Sequence, residues 1–349
     1  MKIFKIEEKK IGLAFKPFII AEMSGNHNGS IKRALNLIKI AKEAGADAIK
    51  LQTYTADTLT LNIPSKEFLI KDKKSLWFGK TLHSLYEEAS LPWEWHEQIF
   101  SYCKKLKLIC FSSPFDSTAV DFLESFNVPA YKIASPEIID HGLIEKVAKT
   151  KKPIIISTGM ANLKEISEAI KVCHKYGNKK IAILHCNSTY PTNPNDMNLK
   201  TIESLRKKFK CEVGLSDHST GIGIALASIP FGATIIEKHF TDSKANEGVD
   251  SAFSLESNEL SSLVKESFKV YLAIGKEKFG PTRSENSMLF FRRSLYIVED
   301  ITKGDKFTNK NIRSIRPAKG AHPKFLKKFL GKKAKKSLKR GTPASLDMI

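Results

Sequence analysis

No apolar stretch in the 349 residues approaches the roughly 20 needed to span a bilayer. The opening segment, MKIFKIEEKKIGLAFK, interleaves charge with apolar residues and has no apolar core of a signal peptide. No Cys-x-x-Cys pair occurs among the five cysteines, Cys103, Cys110, Cys173, Cys186 and Cys211. That pattern points to free thiols, not to a disulfide frame or a thiolate metal site. Cys186 alone lies in a polar motif, and even there it reads as a buried structural thiol. Zinc-finger spacings and Arg-Gly-Gly runs are missing, and few aromatics interrupt the basic tail. These absences argue against a nucleic-acid partner. The glycine fingerprint of a dinucleotide fold is missing too, because TGIGIA (220–225) offers only Gly-x-Gly. The expectation is a cytoplasmic protein without membrane or nucleic-acid partners.

What is present is an ordinary globular composition, 42% hydrophobic, with a net charge of +20. The length suggests about two domains. Charge is uneven: residues 291–349 hold 17 Lys/Arg against 4 Asp/Glu. A surface this basic attracts anionic substrates.

Eight short apolar runs alternate with helical patterns. The runs are FIIAEMS (18–24), AIKLQTY (48–54), LICFSSPF (108–115), AYKIAS (130–135), PIIISTG (153–159), IAILHCN (181–187), VGLSDHS (213–219) and TIIEKHFT (234–241). Stretches such as SIKRALNLIKIAKEAG and SNELSSLVKESFKVYLAIG carry helix periodicity between and after them. Continuous runs suit parallel strands buried on both faces. Eight of them predict an α/β fold of the (β/α)8 TIM-barrel type over 1–275, with a doubly wound open sheet as the alternative. Residues 276–290 read as a linker. Residues 291–349 read as a small second domain of short strands and turns with a lysine-rich helical end.

Every run ends in polar or ionisable residues, and in a barrel such ends meet at one rim. The ends carry Glu22, Lys50, Gln52, Ser112, Ser113, Lys132, Ser135, Ser157, Thr158, His185, Asn187, Ser188, Asp217, His218, Glu237, Lys238 and His239. A single strand-end carboxylate such as Glu22 is equally well read as a cap for the next helix. Eight polar ends in succession are not. The lysines and serines suit a phosphate and a carboxylate. His218 and His239 lie on consecutive runs, so their imidazoles can share one divalent ion in an open site, with Mn2+, Mg2+ or Co2+ as candidates. Glu237 precedes His239 by two and shares its side of a strand.

The motifs IAEMSGNHNGS, DAIKLQTY, FSSPFD, YKIAS, ISTGM, GLSDHS, IEKHFT and RRSLYIVEDITKGDKFTNKNIRSIRP resemble the sialic acid synthase (nonulosonic acid synthase) family. LWFGKTLHSLYEEASLPWEWH (76–96) and GVDSAFSLE (248–256) look most like its pseudaminic branch. The resemblance implies a (β/α)8 barrel followed by an antifreeze-like (SAF-type) domain over 291–349. It implies condensation of phosphoenolpyruvate with an N-acetylated 6-deoxy aminosugar, 2,4-diacetamido-2,4,6-trideoxy-L-altrose. The product would be pseudaminic acid, used on flagellin or surface glycans. Synthesis of N-acetylneuraminate or legionaminic acid from another aminosugar is the alternative. The departure of VDSAFS from the PDHxAS form of N-acetylneuraminate synthases weighs against the first of these.

Carried over by motif, Lys50, Ser113, Lys132, Ser135, Ser157 and Ser188 match phosphoenolpyruvate-binding positions, and His218 and His239 match metal ligands. Glu22 matches the acid that handles protons. Glu237, Tyr190 and Asp250 match sugar-side residues, beside Gln52 at the end of the second run. Arg316 matches an arginine that the capping domain of a swapped homodimer inserts into its partner's site. Two rival readings remain at this stage. One is an aldolase using Lys50, Lys132 or Lys238 as a Schiff base. The other is an RNA-binding protein acting through 303–340.

Overall fold

The computed structural model describes residues 4–349. They form two compact units, one ending at Gly275 and one beginning at Lys276. In the first, β1 (Phe4–Ile6) and β2 (Lys9–Ile11) make an antiparallel hairpin. Eight parallel strands then close a barrel: β3 (Phe18–Glu22), β4 (Ala48–Thr53), β5 (Ile109–Pro114), β6 (Tyr131–Ile133), β7 (Ile154–Ser157), β8 (Ile181–Cys186), β9 (Glu212–Asp217) and β10 (Ile235–His239). β10 pairs with β3, His239 opposite Glu22, and so completes the ring. All eight apolar runs are strands of this barrel. The open sheet is therefore excluded.

Side-chain alternation divides each strand between two environments. Inward positions near the strand starts (Phe18, Ile20, Ala48, Ile109, Phe111, Ala130, Ile155, Ala182, Leu184 and Ile235) form one apolar plug with Phe4, Ile6 and Ile11 of the hairpin. Asp47 holds the hairpin end in place. It accepts from the Ile19 amide (3.1 Å) and pairs with Lys9 (2.9 Å) and Lys16 (3.2 Å). Outward positions pack under the helices as two larger apolar clusters. Each Ile or Leu buried there contributes about 1.5–3 kcal/mol. Gly214 sits inside the barrel, where a Cβ would run into the Ile235 carbonyl.

The helices start where the sequence provides caps. Ser30 accepts from the Arg33 amide at the head of helix Ile31–Ala44, which Gly45 ends in the left-handed region (φ 86°). Asn162 and Glu165 form a capping box on Leu163–Lys175. The segment between β4 and β5 is the longest insertion and carries three helices, Ala56–Leu59, Leu82–Ala89 and His96–Leu106. No helix among the described residues is long and apolar enough to cross a membrane.

The second unit pairs β11 (Ser294–Ile297) with β12 (Ile312–Ile315), antiparallel, over its own core of Leu295, Ile297, Ile301, Phe307, Ile312, Phe329 and Leu338. Asn286–Phe291 is a 3-10 helix tied to this unit by the Ala318 amide, which donates to the Phe290 carbonyl at 3.1 Å. The lysine-rich end is not the helix expected from its composition. Only Leu326–Phe329 is α-helical, and bridges Lys306–Lys333, Ile301–Leu338 and Tyr296–Pro343 extend the sheet-like pairing. The cause is pattern. Buried Phe329, Ala334, Leu338, Ala344 and Met348 do not repeat at 3.6 residues, and Gly331 and Gly341 break the backbone at positive φ.

Candidate active site

The alternation that fills the barrel floor with apolar side chains puts polar ones at its mouth. From the strand ends Glu22, Lys50, Ser113, Lys132, Ser157, Ser216, Glu237 and His239 are all buried and face one interior. Lys50 pairs with Glu22 and donates to Ser113 Oγ at 3.2 Å. Lys132 Nζ lies 3.5 Å from Glu237 Oε1, which also accepts from Ser216 Oγ at 3.0 Å. Glu22 Oε1 accepts from the Ser24 amide at 3.0 Å. Gln52 is half-buried at the end of β4, opposite Ser113 in register. Ser135 accepts from the Gly159 amide at 3.1 Å, and a Cβ on Gly159 would strike the Ser135 and Ser188 hydroxyls. Gly159 is therefore the residue that lets those two serines approach.

Electrostatics follow from burial. Burial pushes the Glu22 carboxyl up to about 7; Lys50 pulls against it, and the nearby Glu237 charge pushes further. Burial also opposes the Lys50 charge, but Glu22 and Glu237 outweigh it and hold that ammonium above the ordinary lysine range. Lys132 has no partner so close, and burial holds it below. At Glu237 burial is overcome by Lys132 and Lys50, so this carboxyl stays below the usual range. Two carboxyls in one pocket are thus driven apart, which is how a site separates a proton acceptor from a fixed anion.

The two histidines meet. Their ring centroids are 5.3 Å apart at 65°. His218 Nδ1 donates to the Asn187 carbonyl (2.8 Å), which leaves Nε2 with the lone pair when the ring is neutral. His239 Nδ1 is buried without a hydrogen-bond partner, 3.7 Å from Asp250 Oδ2. Burial, with His218 and the lysines, holds His239 well below the ordinary histidine range, so it is neutral as a metal ligand must be. At His218 burial is outweighed by Cys186, whose Sγ lies 3.8 Å from Nδ1, so this imidazole sits above the ordinary histidine range and has to lose its Nε2 proton before it can bind a metal. Among the described residues no group of three or more His, Cys, Asp or Glu is placed to hold a metal ion. The pair fits an open divalent site in which water and substrate complete the shell. Asp250 reaches this corner through Ser24, whose hydroxyl it accepts. Tyr190 lies over His218, centroids 4.3 Å apart.

Several predicted strand-end residues point the other way. Asp217 and Lys238 face outward and pair at 2.9 Å beneath the helices, so Lys238 is no Schiff-base candidate for this pocket. Ser112 likewise bonds outward, to Thr53 Oγ1 at 2.6 Å. Arg316 lies in the second unit just beyond β12 and is exposed.

Ser216 and Glu137 escaped the sequence reading. Ser216 precedes His218 by two, the spacing that had pointed to Glu237, so parity alone would have found it. Glu137 lies in the 3-10 turn after β6, where period-two reasoning stops. Its Oε2 is buried without a partner, and burial pushes its carboxyl up to about 7. A cavity of about 330 Å³ bounded by Gly25, Asn28, Glu88, Glu247, Gly248 and Val249 flanks Ser24 and Asp250 in sequence but includes none of these inward side chains.

The model of the NeuB family matches residues 37–279. The chain belongs to that family. A SAF-domain model matches residues 292–349, so the architecture is a NeuB barrel followed by a SAF domain. The chain is 47% identical to pseudaminic acid synthase of Campylobacter jejuni, over 93% of this chain and 94% of that one. It is 38% identical to N,N'-diacetyllegionaminic acid synthase of the same species, over 93% and 97%. Among solved structures, N-acetylneuraminic acid synthetase of Leptospira borgpetersenii, in complex with citrate, matches with a TM-score of 0.72 at 32% identity. That match covers 82% of this chain and 95% of the other.

Proposed function

We propose that this NeuB-family chain condenses phosphoenolpyruvate with 2,4-diacetamido-2,4,6-trideoxy-L-altrose and releases pseudaminic acid and inorganic phosphate. One observation carries the reaction: two lysines, two carboxylates and several serine hydroxyls converge beside a pair of histidines at the mouth of one barrel. The choice of sugar rests on the higher identity to the pseudaminic than to the legionaminic enzyme.

In this reading Lys50, Lys132, Ser113, Ser135, Ser157 and Ser188 hold the phosphate and carboxylate of phosphoenolpyruvate. Ser157 Oγ is buried and unpartnered, a donor awaiting an acceptor. Asp250, Tyr190, Gln52 and Glu237 border the sugar. A divalent ion at His218 and His239 supplies Lewis-acid polarisation of the sugar aldehyde when bound. C3 of the enol forms the new bond to the aldehyde carbon, whose oxygen takes a proton and becomes a hydroxyl. Holding the two carbons in line is worth roughly 7–11 kcal/mol in well-oriented cases. Water then adds to C2. Glu22, with its carboxyl near neutrality, takes the proton from that water. The bond from C2 to the phosphate oxygen breaks, the C2 hydroxyl gives its proton to the departing phosphate, and C2 becomes a ketone. Arg316 of a partner copy, in a homodimer, closes the sugar side.

The test is phosphate release from phosphoenolpyruvate with three sugars: the altrose derivative, its legionaminic-type counterpart and N-acetylmannosamine. Fastest release with the altrose derivative is expected. Preference for either other sugar reassigns the substrate, and release with none removes the reaction.

A further inference from the structure

Beside the histidine pair at the barrel mouth stand Tyr190 and Phe253, and Trp77 packs on Tyr190. Phe253 is 1% exposed, and its ring lies 5.0 Å from His239, 6.3 Å from His218 and 5.2 Å from Tyr190. Trp77 comes from the long insertion after β4, from a stretch without α-helix. Two contacts fix it: its ring sits 5.6 Å from Tyr190, and its indole N–H donates to the Val249 carbonyl at 2.9 Å. Val249 adjoins Asp250, so the insertion is pinned to the loop that carries Asp250 and Phe253.

We propose that Trp77 and Phe253, with Tyr190, form an apolar wall that selects a sugar ending in a methyl group over one ending in a hydroxymethyl group. The inference rests on the condensation proposed above. The lysines and serines occupy the half of the pocket suited to an anion. The aldehyde belongs at the histidine pair; Tyr190 and Phe253 adjoin that pair directly, and Trp77 continues the row beyond Tyr190. The remaining length of the sugar therefore runs along the rings. Phe253 offers no donor or acceptor, and the Trp77 N–H is already engaged. A terminal hydroxyl laid against Phe253 and Trp77 loses its water and gains no partner from either ring, whereas a methyl loses nothing. An apolar wall rejects an added hydroxyl only moderately, by about a hundredfold.

The experiment compares kcat/KM for the 6-deoxy sugar and its 6-hydroxylated counterpart at saturating phosphoenolpyruvate. The unmodified protein should favour the deoxy sugar by about ten- to a hundredfold. Phe253→Ala and Trp77→Ala should each bring that ratio towards one, chiefly by raising KM for the deoxy sugar, with KM for phosphoenolpyruvate unchanged. Trp77→Phe, which keeps an apolar ring, should retain most of the preference. Trp77 is half-buried at the rim, so its variants keep the test open if Phe253→Ala fails to fold. An unchanged ratio in active Trp77→Ala overturns the inference, as does a rise in KM for phosphoenolpyruvate in place of the sugar. Turnover of neither sugar by the unmodified protein is a different failure: it removes the condensation itself, and the wall with it.

Discussion

Neighbouring residues on β9 and β10 build two buried clusters of opposite character. Facing outward, Asp217 and Lys238 have every obvious bond made. Asp217 Oδ1 accepts from the Ser219 amide (2.9 Å) and hydroxyl (2.6 Å), its Oδ2 pairs with Lys238, and Lys238 also donates to the Ser219 carbonyl. Facing inward one residue away, Ser216, Glu237 and His239 sit in a group that leaves Glu237 Oε2, His239 Nδ1 and Ser157 Oγ buried and unpartnered. Leaving such atoms unmade costs about 1–3 kcal/mol each. Burial and charge are the same on both faces, so neither distinguishes structure from site. Completeness of bonding does: a finished network holds the barrel together, and an unfinished one waits for ligands.

The strongest way to break this contrast is His239→Ala. It should abolish turnover while the thermal melt stays cooperative, and near-normal phosphate release would remove the metal role of the inward face. Glu22→Gln follows, with kcat lowered by about 10²–10⁴-fold and KM for phosphoenolpyruvate little changed. A loss confined to KM would make Glu22 a binding group, not a proton acceptor. Asp217→Asn should do the reverse of both. It strands a buried ammonium and costs about 3–5 kcal/mol of stability, seen by denaturant titration, while kcat/KM of the folded protein holds. An activity loss with no stability loss would erase the division between faces. The smallest effect is expected at Arg316→Ala, about a tenfold rise in sugar KM, or roughly 1.4 kcal/mol, with phosphoenolpyruvate KM unmoved. Mixing His239→Ala with Arg316→Ala subunits should restore turnover at the sugar KM of the unmodified protein if a partner copy completes each site, and a mixture that keeps only the raised KM of Arg316→Ala would contradict it.

Much of the barrel was legible because parallel strands buried on both faces need continuous apolar runs, and eight of these occur in order. Their polar ends gave the inward set, but the run alone does not say which of two adjacent polar residues faces in. Ser112 with Ser113, and Lys238 with His239, required the parity of each strand. Glu137, Phe253 and Trp77 lie on turns and insertions, where no period tells a wall of the site from ordinary packing. The SAF domain's tail misled for a related reason. Lysines favour helix in isolation, but the apolar spacing there follows bridges to distant segments.

A crystal structure with Mn2+ and phosphoenolpyruvate bound tests the central claim most directly. The account predicts one anomalous peak held by His218 and His239, with phosphoenolpyruvate against Lys50, Lys132 and Ser157. A metal held elsewhere, or phosphoenolpyruvate bound outside that inward group, would contradict it.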